Sequence, residues 1–225
     1  MKKYIFLILL ISVAFAVNAQ ELGIQFGKSV STFKFEDTEG VELQNLQKTD
    51  NFFMTLEYRH GILLEPLNGN MFLDIGIGYN RYGSSGSDAV LNNYYTWDVT
   101  YLGFNLGLDY VVYRNKSITF YVKTTVSPEI LIHGTQTINN ESYNLVGVED
   151  FDNPILFVRL GAGAQFDISE AASVFVQYMG GQSFGFSGST EKLNIISHNI
   201  GFGVLFNLIK DPYQTQYKGR SRRPK

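Results

Sequence analysis

The chain has 225 residues, a formal net charge of −3 and no cysteine, which excludes disulfides, thiolate metal sites and a lipid-modified N-terminal cysteine. Its charge is unevenly placed, because residues 20–209 carry ten basic and twenty acidic side chains whereas residues 210–225 carry six basic and one acidic. An acidic body with a short basic tail is not the profile of a nucleic-acid-binding protein.

The N-terminus has the features of an export signal. Lys2 and Lys3 precede an apolar run, residues 4–17, that is too short to span a bilayer as a helix. Small residues at Val17 and Ala19 predict cleavage before Gln20. The alternative is a membrane anchor that stays attached. We therefore divide the chain into a signal peptide (1–19), a β-domain (20–209) and a basic tail (210–225).

Eight segments of the β-domain alternate apolar residues with small or polar ones, which is the pattern of β-strands with two different faces. These segments are longer than the usual 5–6 residues of soluble strands and suit the ~9–11 residues that cross a bilayer at a tilt. In chain order they are residues 21–35, 51–64, 71–82, 94–113, 117–133, 154–167, 173–186 and 194–208.

The two faces predict how the strands close on one another. In the third segment Met71, Leu73 and Ile75 alternate with Asp74 and Gly76, and glycines concentrate on the polar face throughout. A polar, glycine-rich face suits the crowded interior of a narrow barrel. We predict an all-β fold, an eight-stranded antiparallel up-and-down transmembrane β-barrel. The alternative is a soluble lipocalin-like barrel or sandwich with the apolar face inside.

Aromatic residues near the strand ends predict the interfacial girdles of a membrane barrel. They are Tyr58, Tyr79, Tyr82, Tyr94, Tyr95, Trp97, Tyr110 and Tyr113.

The connections alternate in length and predict the orientation. Residues 66–69, 114–116 and 168–172 form short turns, and residues 36–50, 83–93, 134–153 and 187–193 form longer loops. Short turns face the periplasm and long loops the exterior in outer-membrane barrels, so both termini are expected in the periplasm.

The inward face carries a set of charges that the strand heights bring together. We expect Arg59 level with Asp74, Asp109 level with Lys123, and Arg159 level with Glu57. Because an unpaired buried charge is costly, these signs predict an ion-pair network that plugs the lumen. The alternative is a gated channel in which the pairs exchange. The set comprises Glu57, Arg59, Asp74, Asp109, Lys123, Glu129 and Arg159.

The last strand resembles the β-signal by which the barrel-assembly machinery recognises its clients. Asn199, Gly201, Val204 and Phe206 supply its polar residue, its glycine and its alternating apolar residues, although 19 residues follow Phe206. This resemblance implies that machinery as a partner during biogenesis.

Over residues 20–208 the chain resembles small eight-stranded outer-membrane barrels of the OmpA/OmpX type. Its signal ending at Ala19 and Gln20 and its Gly/Tyr/Asn-rich strands are similar to the PorT-like outer-membrane β-barrel proteins of Bacteroidota. The resemblance implies a barrel surrounded by outer-membrane lipid and lipopolysaccharide. Its expected role is non-enzymatic: envelope structure, surface interaction or service as an accessory barrel of an outer-membrane assembly. The alternatives are a narrow solute channel and a lipid A-modifying enzyme.

No motif predicts a catalytic residue, a metal site or a cofactor. Adjacent strand residues face opposite ways, so Ser197 and His198 do not pair, and His60 and His133 are expected at opposite ends of the barrel. The acidic residues 36–39 and 149–152 lack the ligand spacing of an EF-hand, which favours solvated loops over Ca²⁺ sites.

The tail begins with Lys210 and ends with Lys225, and it has too little hydrophobicity to fold alone. Two interpretations stay open: it lies against anionic headgroups, or it docks a periplasmic partner.

Overall fold

The computed structural model describes residues 20–36, 46–62, 70–88, 93–148, 153–185 and 192–208. The signal segment, the basic tail and the turn at residues 66–69 lie outside these ranges. Residues 37–39 and 149–152 of the acidic stretches also lie outside them.

Nine strands make up almost all of the described chain. Among the described residues, no helix is long and apolar enough to cross a membrane. The strands are β1 (Gln20–Glu36), β2 (Gln47–Gly61), β3 (Met71–Asp88), β4 (Asn93–Arg114), β5 (Ile118–Ile138), β6 (Glu141–Asn144), β7 (Ile155–Asp167), β8 (Ala172–Gly185) and β9 (Lys192–Asn207).

Eight of these strands close into a ring. The pairing order is β4, β3, β2, β1, β9, β8, β7 and β5, and β5 pairs back with β4. Every pair is antiparallel. Within the described residues, β6 pairs with β5 alone and extends the sheet beyond the ring. The fold is the predicted eight-stranded antiparallel barrel with one additional short strand.

The ring is staggered, as a closed barrel requires. Paired residues followed once around it lead from Leu22 through Tyr58, Ile75, Leu106, Val126, Val158, Gln182 and Ile196 to Thr32. Thr32 lies ten residues beyond the starting point on the same strand. Paired residues therefore climb by about one and a quarter residues per strand, and the strands tilt from the barrel axis by roughly 35–45°.

The strands extend further than the sequence predicted at the end with the long connections. Residues 83–88 belong to β3 and pair with β4 as far as Asp88 opposite Asn93, so most of the predicted loop 83–93 is strand. Part of the predicted loop 134–153 likewise forms the end of β5 and all of β6. Both segments are polar, and they are strands because they continue the ladders of longer neighbours.

Two of the predicted short turns lie at the opposite end of the ring. The Asn115 side chain accepts hydrogen bonds from the backbone N–H groups of Ser117 and Ile118. The Ser169 hydroxyl does the same for Ala171 and Ala172. These side-chain bonds stabilise tight turns, and we call this end of the barrel the turn end and the other the loop end.

The outer surface of the ring is apolar and the interior is polar. Leu160, Ile200 and Phe202 expose 67%, 61% and 57% of their surface, while the charged side chains of Arg59, Lys123 and Arg159 are buried in the lumen. A soluble barrel would have the reverse arrangement, so that alternative was wrong.

Glycines let the strands of this narrow ring approach one another. A Cβ at Gly161 would lie 1.9 Å from the carbonyl oxygen of Tyr178 on the neighbouring strand, and one at Gly27 would lie 2.2 Å from that of Ile200. Backbone atoms cannot yield at such distances, so these positions require glycine.

Candidate functional site

Arg59 organises a charged layer near the turn end of the lumen. Its Nη1 donates to Glu21 Oε2 at 3.0 Å and to Gln165 Oε1 at 3.0 Å. Its Nε lies 3.2 Å from Asp109 Oδ2 and 3.8 Å from Asp74 Oδ1. With 2% of its surface exposed, the guanidinium is removed from water and depends on these carboxylates for its charge balance.

The ring of Phe72 supports this guanidinium from one side. Arg59 Cζ lies 4.1 Å from the ring centroid of Phe72 and 5.5 Å from that of Tyr121. Cation–π contacts of this kind fix the orientation of a buried cation as well as stabilising it.

Lys123 ties the same layer to β5. Its Nζ lies 3.0 Å from Glu57 Oε2, 3.1 Å from Asp74 Oδ2 and 3.7 Å from Asp109 Oδ1. Asp74 and Asp109 are therefore shared between two cations. A network with shared carboxylates holds β2, β3, β4 and β5 together across the lumen.

A second charged layer lies nearer the loop end. Arg159 Nη2 donates to Glu129 Oε1 at 2.6 Å and also contacts the Tyr82 hydroxyl. The other oxygen of Glu129 accepts a hydrogen bond from Tyr82 at 2.9 Å, and Asn80 Nδ2 donates to Oε1 at 3.1 Å. Glu129 has no exposed surface, and among the described residues Arg159 is the cation that pairs with it.

An aromatic cluster covers the second layer toward the loop end. Tyr82 and Phe157 stack with ring centroids 5.3 Å apart, and Arg159 Cζ lies 3.9 Å from the Phe157 centroid. The buried residues of this cluster are Phe33, Tyr82, Tyr95, Trp97, Val99, Tyr101, Leu131, Leu145, Ile155, Phe157 and Ile195.

The prediction that Tyr82, Tyr95 and Trp97 form an outer girdle was therefore wrong. The three side chains are buried in the lumen. Their strands continue beyond the predicted ends, and the inward alternation continues with them. Tyr79, Tyr110 and Tyr113 do lie on the outer surface and are exposed.

A small cavity separates the two charged layers. It has a volume of about 40 Å³ and is lined by Gln25, Thr55, Asn105, Lys123, Arg159 and Asn199 among others. Such a volume admits roughly three water molecules. Among the described residues, no partner hydrogen-bonds Gln25 Nε2, Arg159 Nε or Asn199 Oδ1, all of which are buried.

All seven charged residues predicted for the lumen point inward, but they pair differently from the expected heights. Arg59 does meet Asp74, and Lys123 meets Asp109. Arg159 pairs with Glu129, whereas Glu57 pairs with Lys123. The expected levels were counted from the turns and neglected the stagger, which displaces strands on opposite sides of the ring relative to one another.

Sequence reasoning missed four members of the network, namely Glu21, Asn80, Tyr82 and Gln165. Glu21 was treated as the start of a strand, although its alternation with Leu22 and Ile24 places it inward. Tyr82 and Asn80 each stand an even number of residues from Asp74, and Gln165 stands an even number from Arg159. Alternation therefore places them on the same inward face. This even spacing was the signal in the sequence by which they could have been predicted to face the lumen.

The four residues of the β-signal resemblance divide between the two faces of β9. Asn199 and Gly201 are buried in the lumen, whereas Phe206 is exposed and Val204 is half-buried on the outer face. A Cβ at Gly201 would lie 2.4 Å from Gln25 Nε2 and 2.7 Å from Phe53. This strand pairs with β1 to close the ring.

Ser197 and His198, the adjacent serine and histidine of the last strand, lie on opposite faces of the barrel wall. Ser197 is fully buried, while His198 lies on the outer face with its Nδ1 2.7 Å from the Tyr178 hydroxyl. His60 is near the turn end, where it pairs with Leu73, and His133 is near the loop end. Within the described ranges, no three His, Asp or Glu side chains are placed to hold a metal ion.

Comparison with known proteins returns solved structures of outer-membrane barrels at low sequence identity. Ail, the attachment invasion locus protein of Yersinia pestis, is 16% identical with a TM-score of 0.42, and the match covers 84% of this chain and 100% of Ail. Neisserial surface protein A is 10% identical with a TM-score of 0.48, over 83% of this chain and 97% of that one.

A third similar structure is OprG from Pseudomonas aeruginosa. It is 15% identical with a TM-score of 0.45, and the match covers 84% of this chain and 97% of OprG. No protein-family profile matches the chain, and no curated protein matches it. The barrel of this chain is shown by its own strand pairing.

Proposed function

We propose that the protein is an integral outer-membrane barrel whose lumen stays closed and whose role is carried by its surface. The apolar outer face supports the membrane location, because large apolar side chains are exposed on every strand of the ring. A closed ring also satisfies the backbone hydrogen bonds of its strands internally, as the hydrocarbon of a bilayer demands. The export signal predicted for residues 1–19 supports the outer membrane as its destination.

The observation that carries the closed lumen is the pair of charged layers with the aromatic cluster above them. Arg59 and Lys123 with their carboxylates fill the section near the turn end, and Arg159, Glu129 and Tyr82 fill the section near the loop end. An eight-stranded ring has an interior just wide enough for its own side chains. These layers leave room for isolated waters rather than for a hydrated solute.

The conductance of the full chain in planar lipid bilayers tests this proposal. We expect no discrete conductance steps from a preparation whose folded state is verified on the same sample. Opening steps of uniform size would contradict the closed lumen and favour a narrow channel.

The narrow channel remains the second candidate because of the cavity between the charged layers. Its lining contains amides and both signs of charge, and three of its polar atoms face no protein partner in the described residues. A pathway through it requires Arg159 to leave Glu129 and the aromatic cluster to part. We therefore rank it below a closed barrel.

We propose no catalytic role for the outer-face histidine. His198 Nδ1 is hydrogen-bonded to the Tyr178 hydroxyl, and the adjacent Ser197 is buried inside the lumen. The mass of lipid A from cells that express the His198→Ala protein should equal that from cells with the unchanged protein. A change in the number of acyl chains would favour a lipid-modifying enzyme instead.

We further propose that β9 is the strand read by the assembly machinery. Its outer face presents Val204 and Phe206, and its inner face has Gly201, where a Cβ would meet the Gln25 side chain of β1. Replacing Phe206 by Ser should reduce the amount of folded barrel in outer-membrane fractions, whereas Phe202→Ser on the same face serves as the matched control. Equal losses from both variants would indicate a general loss of apolar surface.

A further inference from the structure

The outward apolar run is short on one side of the barrel. On β1 it consists of Leu22, Ile24 and Phe26, and Lys28 follows. On β2 it ends at Phe52, beyond which Asp50 lies outward and pairs with Lys28 at 2.5 Å. The two side chains are 63% and 60% exposed, so the apolar surface of this side ends at a solvated ion pair.

The next two strands end their apolar runs in the same way. On β3 the run ends at Tyr79, and Arg81 follows. Both nitrogens of its fork bond the carboxylate of Asp98 on β4. With exposures of 40% and 39%, this second pair continues the charged margin of the first around the loop end.

In the other half of the ring, no ion pair of the described residues bounds the apolar surface. On β5 the outward positions carry no charge over seven successive places, namely Phe120, Val122, Thr124, Val126, Pro128, Ile130 and Ile132. On β8 the outward Phe184 is 45% exposed, and Ile130 and Ile132 are 49% and 46% exposed. Leu156 of β7 lies between Pro128 and Phe184 through the pairing of the three strands.

The stagger of the ring allows the two sides to be compared at equal height. Paired residues climb by about one and a quarter residues per strand, and Asp50 pairs with Val30 while Ile130 pairs with Leu102. On this scale Ile130 and Phe184 lie level with Asp50, and Ile132 lies level with Asp98. The charged margin on β1 to β4 and the apolar residues on β5, β7 and β8 thus occupy the same height on the two halves of the ring.

We propose that these residues of the loop end, Pro128, Ile130, Ile132, Leu156 and Phe184, form an upper apolar arc that binds the acyl chains of the outer leaflet. On β5 and β7 the arc is continuous with the lipid-facing surface below it through Val126 and Val158, so its occupant is lipid rather than another protein. The arc belongs in hydrocarbon and the charged margin belongs in water. Because both lie at the same height on the barrel, a bilayer of even thickness satisfies both only when the barrel axis tilts toward the arc. The inference rests on the proposed membrane location.

The tilted orientation has a lower free energy than an upright one. An upright barrel leaves Ile130, Ile132 and Phe184 in the aqueous layer or draws Lys28 and Asp50 into hydrocarbon. Adjusting tilt or local thickness costs a small amount per ångström of mismatch. Burial of three large apolar side chains gains more than that.

Spin labels at single cysteines test the inference, and the chain contains no cysteine that competes. The full-length protein is folded into vesicles of phosphatidylcholine with 14-carbon chains. Labels are placed at matched heights in the variants Ile130→Cys and Asp50→Cys, and in Ile132→Cys and Asp98→Cys. Phe104→Cys reports the middle of the apolar surface, and Asn115→Cys reports the turn end in water.

Collision rates with oxygen and with a water-soluble nickel complex give the depth of each label. We expect the oxygen-to-nickel ratio at Ile130→Cys and Ile132→Cys to approach that at Phe104→Cys. It should exceed the ratio at Asp50→Cys and Asp98→Cys several-fold.

The outcomes separate the inference from the proposal on which it rests. An aqueous ratio at Ile132→Cys equal to that at Asp98→Cys, with Phe104→Cys in hydrocarbon, overturns the arc alone. An aqueous ratio at Phe104→Cys overturns the membrane location itself. Spin–spin broadening at Ile132→Cys that disappears on dilution with unlabelled protein would place a second copy on the arc and overturn its assignment to lipid.

Discussion

The Arg159–Glu129 pair and the Arg81–Asp98 pair contain the same kinds of groups in opposite surroundings. Arg159 and Glu129 expose 7% and 0% of their side chains, whereas Arg81 and Asp98 expose 40% and 39%. A buried charge that loses its partner keeps the full cost of leaving water, while an exposed one is resolvated. The contribution of each arginine to stability should therefore differ although both contact a carboxylate.

Replacing Arg159 by Met tests this difference. The variant leaves Glu129 buried with its charge uncompensated, so the free energy of unfolding should fall by about 3–5 kcal/mol. The measurement is urea-induced unfolding of the protein folded in phospholipid vesicles. The control, Arg81→Met, should lose less than about 1 kcal/mol.

A double variant, Arg159→Met with Glu129→Leu, distinguishes the unpaired charge from lost packing. It should recover most of the lost stability because neither partner remains charged. If the Arg159→Ala protein conducts ions with unchanged stability, the charged layer does not plug the lumen.

Gly161 is a second position where one residue decides the packing. A Cβ there would lie 1.9 Å from the Tyr178 carbonyl oxygen, whereas one at Gly185 meets no atom within 4 Å. Gly161→Ala should therefore destabilise the barrel by about 1–3 kcal/mol through overpacking, and Gly185→Ala should not. The temperature at which the folded band disappears in gel electrophoresis measures both. Equal midpoints for the two variants would show that β7 and β8 separate without cost.

At the scale of elements, the β5–β6 hairpin is the addition to a simple ring. Its turn residues Asn139 and Asn140 have φ values of 49° and 72°, the left-handed conformation that asparagine tolerates in two-residue hairpins. The backbone N–H of Leu145 donates to the Gly134 carbonyl, and its side chain is buried in the aromatic cluster. The hairpin thereby contributes a residue to the closure of the lumen.

Truncation of that residue measures the contribution of the hairpin. Leu145 is 3% exposed whereas Val146 beside it is 46% exposed. Leu145→Ala should lower the free energy of unfolding by at least about 2 kcal/mol, and Val146→Ala should leave it almost unchanged. Urea unfolding in vesicles again provides the measurement. If neither variant differs from the unchanged protein, the hairpin does not pack on the cluster.

The elements show how far sequence alone reaches. Alternation gave the eight ring strands and the inward or outward direction of residues such as Leu22, Arg159 and Phe206, because one face is apolar and the other is not. It failed where both faces are polar, as in residues 83–88 and in β6. The Arg159–Glu129 pair was missed because strand stagger is a property of the closed ring and leaves no signal in any one strand.

At the scale of the whole molecule, the two ends of the barrel differ in their connections. Tight turns such as the one at Asn115 close one end, and strands extended beyond the apolar surface mark the other. Outer-membrane barrels place short turns in the periplasm and longer connections outside. We therefore expect the β5–β6 hairpin on the cell surface.

Cysteine labelling on intact cells tests this orientation. Asn140→Cys in the hairpin should react with a membrane-impermeant maleimide, while Asn115→Cys in the turn should react only after the outer membrane is permeabilised. Both residues are exposed in the folded barrel, so access alone determines the result. Labelling of Asn115→Cys without permeabilisation would reverse the orientation.

The pairing of β1 with β9 joins the first and last strands over sixteen residue pairs, from Glu21 opposite Asn207 to Glu36 opposite Lys192. A chain that has not yet delivered its final strand therefore presents two unpaired edges, which hydrocarbon does not tolerate. We expect such a chain to stay unfolded and bound to chaperones until its C-terminal strand is present. We therefore expect a chain truncated before β9 to be degraded rather than to close into a smaller barrel.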